Sequence, residues 1–104
     1  MIRKAFKLKV KLGQFDEYKQ RHDNVFPDLV DVIKSAGAKN YSIFLDDESG
    51  CLFGYVELES LEKWNGISKT EACQRWWEYM SDIMDTNPDM SPKSTELQEM
   101  FYLA

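Results

Sequence analysis

The hydrophobic pattern near the start of the chain is that of a half-exposed strand. Over residues 3–12, apolar side chains occupy every second position and lysines lie between them. This two-residue period puts the two kinds of side chain on opposite faces of a sheet. The apolar positions are Phe6, Leu8, Val10 and Leu12. We therefore predict a first strand over 3–12, ended by Gly13.

The pattern then changes to the spacing of a helix. Between residue 14 and about residue 36, apolar and aromatic side chains recur in steps of three and four, which aligns them along one helical face. These positions are Phe15, Tyr18, His22, Phe26, Leu29 and Ile33. Proline resists a helix interior but suits a first helical turn. Pro27 therefore predicts a break at residues 23–26 and a second helix over 27–35, ended by Gly37.

The middle of the chain predicts a β-hairpin whose second strand is apolar on both faces. Strand-like runs over 40–45 and 51–58 flank a polar turn that ends in Gly50. One face of the second run would carry Leu52, Val56 and Leu58, and the other Cys51, Phe53 and Tyr55. Because helices would cover only one face, and large exposed apolar patches are unusual in monomers, we predict a homodimer that packs sheet to sheet.

The last part of the chain adds two helices and a strand. Ser60 and Thr70 are candidate N-caps, the first for a short helix and the second for a longer one over about 71–84. A polar segment, residues 85–95, leads to a closing strand over 97–103. The order βαββαβ is the ferredoxin-like arrangement, an α+β fold with an antiparallel sheet and its helices on one face.

Composition narrows the class of protein. The 104 residues are the size of one domain, which we place over 1–104, and the net charge of -5 opposes a nucleic-acid partner. No apolar run is long enough to cross a bilayer, and the first residues do not read as a signal peptide, so we expect a cytoplasmic protein with no membrane partner. Cys51 and Cys73 lack the close spacing of redox or zinc sites, and we expect both to fill the core as reduced thiols.

His22 is the best candidate for acid–base chemistry. It is the only histidine, and its ordinary pKa of about 6.5 allows proton exchange near neutral pH. A histidine that merely packs in the core with one hydrogen bond is the alternative. Tyr18 lies one turn earlier on the same face, and the break before Pro27 leaves His22 near a helix end, where a pocket can open.

Two adjacent tryptophans form a second candidate feature. Trp76 and Trp77 project about 100° apart from a helix, so at least one lies at the edge of the buried stripe. Beside Tyr41 they would supply flat apolar walls with polar tips, which suit a small hydroxyl-rich ligand. A purely structural role for either tryptophan is the alternative.

The remaining polar features indicate no metal or cofactor. Asn87, Asp89 and Ser91 lie in the 85–95 segment, which could close over a ligand, although an ordinary crossover is the favoured reading. The acidic turn at 46–48 is typical of a solvated hairpin tip, and no second ligand cluster completes it. No phosphate-binding loop, nucleophile elbow or nucleotide fingerprint is present. We predict a reaction that uses neither metal nor cofactor.

Short segments along nearly the whole chain match one family pattern. They are residues 1–6, Glu17-Tyr18 with Arg21-His22, Asn40-Tyr41, residues 73–77, Asn87-Pro88-Asp89, and residues 96–99 with 101–103. In these segments the sequence resembles the L-rhamnose mutarotase family. The resemblance implies a ferredoxin-like domain that dimerises as an α/β-barrel and interconverts the α and β anomers of L-rhamnose.

The resemblance also implies roles for particular residues. The proton-donating histidine of the family falls on His22, expected to protonate the ring oxygen of the sugar. The sugar-contacting residues fall on Tyr18, Tyr41, Trp76 and Trp77. One position departs from the family pattern: Phe26 stands where tryptophan is usual before Pro27, which bears on the shape of the pocket and the sugar preference. The base that accepts the second proton is not identified by the sequence.

Two other functions fit the same features. A cofactor-independent oxygenase is one, because dimeric α/β-barrels also host that chemistry and a fold does not fix a function. A non-catalytic sugar-binding module that uses the same aromatic walls is the other.

Overall fold

The protein contains a single four-stranded antiparallel sheet of order β2-β3-β1-β4, seen in a computed structural model that describes residues 1–104. The strands are β1 (Ile2–Lys9), β2 (Ala38–Asp46), β3 (Cys51–Leu58) and β4 (Thr95–Leu97). The helices are α1 (Phe15–Asp23), α2 (Pro27–Ser35), α3 (Leu61–Gly66) and α4 (Glu71–Met80), with a 3-10 turn at Ile67–Lys69. The predicted ferredoxin-like α+β fold is confirmed. None of the helices has the length and apolar character that crossing a membrane requires.

The break between the first two helices lies where the sequence predicts it. α1 ends at Asp23, and Pro27 is the first residue of α2, where its missing N–H leaves no helical hydrogen bond unmade. Tyr18 of α1 and Leu29 of α2 are both buried. The two pieces therefore share one apolar face despite the change of direction.

The first strand is shorter than predicted. β1 ends at Lys9, and Val10 continues only as an isolated bridge to Met84. Leu12 is 67% exposed, so its placement on the core face was wrong. The chain turns away at Gly13, whose φ of 86° is the left-handed conformation that favours glycine.

Both predicted N-caps are confirmed, but the end of the last helix is not. The side chains of Ser60 and Thr70 accept hydrogen bonds from the backbone N–H groups of Lys63 and Cys73. α4 ends at Met80 rather than at residue 84. Met84 instead pairs with Val10, so the chain leaves the helix to reach the end of β1.

The closing strand is much shorter than the predicted 97–103. β4 contains only Thr95–Leu97, paired with β1 so that Leu97 lies opposite Ala5. Residues 98–104 form no strand and are exposed. The ladder with β1 stops at the pair of Ala5 and Leu97, and beyond it only the side chain of Glu99 bonds β1, at Arg3.

The two faces of the sheet differ in what covers them. We call the face beneath the helices the inner face and the opposite one the outer face. On β3, Leu52, Val56 and Leu58 point inward and are nearly inaccessible, whereas Phe53 points outward and is 41% exposed. Cys51 is a half-buried outward residue, so its predicted core position was wrong, while Cys73 is buried as expected; both thiols are free.

Candidate active site

An open cavity of about 1570 Å³ lies between the inner face and the helices, with ample room for a monosaccharide. All five residues singled out in the sequence line it: Tyr18, His22, Tyr41, Trp76 and Trp77. They come from α1, β2 and α4. The fold thus brings the five together, although they are separated by up to 59 positions in sequence.

His22 is held by aromatic rings and by the backbone. Its ring stacks on Tyr18 with centroids 4.2 Å apart and meets Trp76 edge-on at 5.2 Å. Its Nδ1 lies 3.0 Å from the carbonyl oxygen of Tyr18. Because a carbonyl only accepts, Nδ1 carries a proton and donates it, which leaves Nε2 as the nitrogen that gains or loses a proton.

Burial favours the uncharged form of this imidazole. It lowers the pKa of His22 below its ordinary value, and this outweighs the opposing effects of the Tyr18 carbonyl and of Asp23. At neutral pH the ring is therefore mainly neutral, with a proton on Nδ1 and a free lone pair on Nε2. When protonated, the same ring is a stronger acid than an exposed histidine.

The two tyrosines of the site remain protonated at neutral pH. Burial raises the pKa of the Tyr18 phenol, and the interaction with Tyr41 raises it further. Although 37% of Tyr41 is exposed, loss of water around its hydroxyl group raises its pKa to about 12, and Cys73 adds to the effect. Each of the two hydroxyl groups can both donate and accept a hydrogen bond.

The neighbours of Tyr41 differ from those expected. Its ring contacts Phe6 and Trp64, with centroids 6.2 Å and 5.6 Å away, rather than the tryptophan pair of α4. The Phe6 ring lies over Gly54, where a Cβ would come within 2.5 Å of it. Sequence reasoning missed Trp64 as a cavity residue because α3, with six residues, is too short for its hydrophobic periodicity to show which side faces the sheet.

Trp76 and Trp77 occupy different environments. Trp76 is buried and Trp77 is half-buried, as the 100° between neighbouring helix positions requires. Phe26 packs edge-on behind Trp76 with centroids 5.0 Å apart and stacks on Tyr79. It does not line the cavity, so the departure at residue 26 touches the site only through the back of Trp76.

Arg21 connects the helix that carries His22 to the helix that carries Trp76. Its Nη1 donates to the carbonyl oxygen of Tyr79 at 2.6 Å and to the carboxylate of Asp82 at 2.8 Å. Its guanidinium lies 4.5 Å above the centre of the Tyr79 ring. The contact fixes the spacing of α1 and α4 beside the imidazole, a role that sequence reasoning did not assign.

The polar segment 85–95 forms a small hairpin at the rim of the cavity. Asn87 N–H donates to the Ser91 carbonyl at 2.8 Å, and Lys93 N–H donates to the Asp85 carbonyl at 3.0 Å. Asn87 and Ser91 line the cavity. The segment is thus a structured wall of the site. No three His, Cys, Asp or Glu side chains are grouped so as to hold a metal ion.

Comparisons with known proteins agree with one another. A family model described as L-rhamnose mutarotase matches residues 3–103. The L-rhamnose mutarotase of Tolumonas auensis is 56% identical over 104 residues, which is 100% of each chain. A crystal structure of the L-rhamnose mutarotase from Formosa agariphila matches with a TM-score of 0.92 at 39% identity, over 100% of both chains.

More distant structures share only the fold. A Bordetella bronchiseptica protein provisionally assigned as an antibiotic biosynthesis monooxygenase matches with a TM-score of 0.69 at 11% identity, over 95% of this chain and 96% of its own. Such a likeness shows a common architecture and carries no information about the reaction. The match to the family model along almost the whole chain, and the close relative of equal length, show that this chain belongs to the L-rhamnose mutarotase family.

Proposed function

We propose that this protein interconverts the α and β anomers of L-rhamnose. One observation carries the proposal. An imidazole whose Nδ1 is fixed by the Tyr18 carbonyl presents Nε2 for proton exchange, in a cavity that also contains two protonated tyrosines. Membership of the family supports the choice of L-rhamnose as the substrate.

The reaction needs one proton delivered and one removed. Ring opening breaks the bond between the anomeric carbon and the ring oxygen, which takes up a proton, while the anomeric hydroxyl loses its proton and becomes the aldehyde oxygen. Rotation of the aldehyde and reclosure on its other face give the second anomer. No electrons are transferred, so acid–base groups alone are sufficient.

In this proposal His22 protonates the ring oxygen through Nε2. The lowered pKa of His22 makes the imidazolium a better acid, and the neutral ring that remains is ready to take the same proton back when the sugar recloses. The Tyr18 carbonyl keeps the ring in one orientation throughout, because Nδ1 donates to it in both protonation states.

The other site residues would hold the sugar. Tyr18 and Tyr41 exchange hydrogen bonds with its hydroxyl groups, since both phenols stay protonated at neutral pH. Trp76 or Trp77 packs on the apolar side of the ring and its methyl group. Trp76 also contacts His22 directly, so contact with the sugar and orientation of the acid are coupled at one side chain.

We also infer a homodimer in which the outer faces of two copies meet. Phe44 and Phe53 lie opposite each other on that face and are 68% and 41% exposed. The segment after β4, residues 98–104, adds Met100, Phe101 and Leu103, each at least 80% exposed. Covering such a patch with a second copy removes apolar surface from water on both partners.

The free thiols of Cys51 and Cys73 suit the reducing conditions of the cytoplasm, where we place the enzyme.

The reaction is tested by the exchange between the two anomeric proton signals of L-rhamnose in saturation-transfer NMR. We expect the wild type to exceed the spontaneous rate and His22→Ala to lose roughly a hundred- to ten-thousand-fold of this acceleration. Gln20→Ala, an exposed change on the same helix, is the matched control and should behave as wild type. Exchange by His22→Ala at the wild-type rate would disprove the role of His22, and a wild type no faster than buffer would disprove the activity.

A further inference from the structure

Two charged side chains stand on the otherwise apolar inner face. Lys4 of β1 pairs with Val56 in the sheet, in the row that continues through Phe6 and Leu8. Glu96 of β4 pairs with Phe6 and so belongs to the same face. The Nζ of Lys4 donates to the carboxylate of Glu96 at 3.0 Å. Both side chains line the cavity that contains His22.

A contribution to folding stability does not by itself explain why Lys4 and Glu96 lie on this face. An exposed ion pair contributes about 0–1 kcal/mol, and only 18% of the Lys4 side chain is exposed, so part of its charge is taken from water. A second ion pair already ties β1 to the C-terminal segment: Arg3 donates twice to Glu99, at 2.8 Å and 3.0 Å, on the outer side. The inner pair is therefore redundant as a fastening.

The inner pair also keeps unused hydrogen-bonding capacity. Its one contact occupies a single donor of the ammonium and one oxygen of the carboxylate. The Glu96 side chain is 74% exposed, at the open side of the cavity. The other ion pair at the cavity rim, Lys19 with Asp23, is 77% and 57% exposed and joins two positions of α1 only.

The hydroxyl groups of a bound sugar need hydrogen-bond acceptors, and the other residues of the site supply few of them. Each sugar hydroxyl has a proton to donate, and the tryptophan N–H groups only donate. The acceptors among the five residues described above are then the two tyrosine hydroxyls and Nε2 of His22. A carboxylate is the strongest hydrogen-bond acceptor among side chains, and an ammonium beside it supplies donors for the oxygens of the same hydroxyls.

We propose that Lys4 and Glu96 bind hydroxyl groups of the sugar and form a further substrate-binding pair in the cavity. The inference rests on the proposed function, because it takes a monosaccharide as the ligand. The pair acts in holding the substrate and leaves proton transfer to His22. Its loss therefore changes KM rather than kcat.

The test uses Glu96→Gln and Lys4→Met in the full-length protein. We expect KM for L-rhamnose to rise about tenfold or more, since a hydrogen bond to a charged group is lost, while kcat changes by less than about threefold. Binding of methyl α-L-rhamnopyranoside, whose ring cannot open, should weaken by the same factor in calorimetry. A fall in kcat at unchanged KM would overturn the proposal.

The outer pair provides the matched control. Arg3→Met and Glu99→Gln remove a contact between the same strand and the same C-terminal segment, but on the other face. If the inner pair only holds the C-terminal segment against β1, the inner and outer variants will shift the urea midpoint by the same amount, and neither will change KM. That result would refute the proposal. We expect similar midpoints and a raised KM for the inner variants alone.

Failure of this inference is distinct from failure of the proposed function. A wild type that exchanges anomers, with unchanged KM in Glu96→Gln, removes the role of the pair and leaves the activity standing. A wild type that neither exchanges anomers nor binds the glycoside removes both.

Discussion

The inner and outer faces of the sheet carry similar apolar side chains but meet different surroundings. Leu52 and Phe53 are neighbours on β3, yet Leu52 is 2% exposed and Phe53 is 41% exposed. β1 and β2 run parallel to each other, as do β3 and β4, and the preference for right-handed crossovers brings both sets of helices to one face. Hydrophobicity alone therefore does not tell which face becomes the cavity and which becomes a contact surface.

The largest expected difference between the faces is in folding stability. Leu52→Ala opens a cavity in the packed layer and should lower the free energy of unfolding by about 2–5 kcal/mol. Phe53→Ala removes a ring that its own chain leaves 41% exposed, so at a protein concentration too low for self-association it should cost less than half as much. Urea unfolding at equal protein concentration measures both. Equal losses for the two variants would contradict the assignment of the faces.

The next effect concerns self-association. Phe44→Glu places a charge in the middle of the outer apolar patch, which is 68% exposed at this position. We expect light scattering at micromolar concentration to fall from the mass of two chains to that of one, 12.2 kDa. Asp31→Lys, a charge change on the exposed side of α2, should leave the mass of two chains unchanged. A wild type with the mass of one chain would disprove the dimer.

The smallest expected effect is on the pH dependence of folding stability, and it comes from His22 in the cavity over the inner face. The folded protein holds the pKa of His22 below its ordinary value of about 6.5, so the unfolded chain binds a proton more readily. The contribution of His22 to the free energy of unfolding is therefore fully present when the pH is above about 6.5, and it is lost as the pH falls through the lowered folded-state pKa. Unfolding free energies of wild type and His22→Gln, measured from pH 7.5 downward, should show this slope in the wild type only. A common slope would assign it to other groups.

Local rules predicted much of the fold. The break at Pro27, the N-caps Ser60 and Thr70 and the turn that ends in Gly50 all lie where expected. Each depends on backbone geometry or on hydrogen bonds within a few residues. The ends of β1, α4 and β4 were wrong because each depends on a distant partner. Val10 meets Met84, for example, and the residues beyond Leu97 form no backbone pairs with another strand.

For the candidate site, the sequence by itself determined the chemical groups and the helical register that stacks Tyr18 on His22. The sequence also offered Tyr41 and the tryptophan pair as walls of a binding site, and the family resemblance implied that they contact the sugar. Only the tertiary structure decided that Nδ1 of His22 bonds the Tyr18 carbonyl and leaves Nε2 free, that Trp64 and Phe6 flank Tyr41, and that Lys4 meets Glu96 inside the cavity. The reason is physical: spacing along one helix is a local property, whereas burial, tautomer and contacts between strands arise only when distant segments pack together.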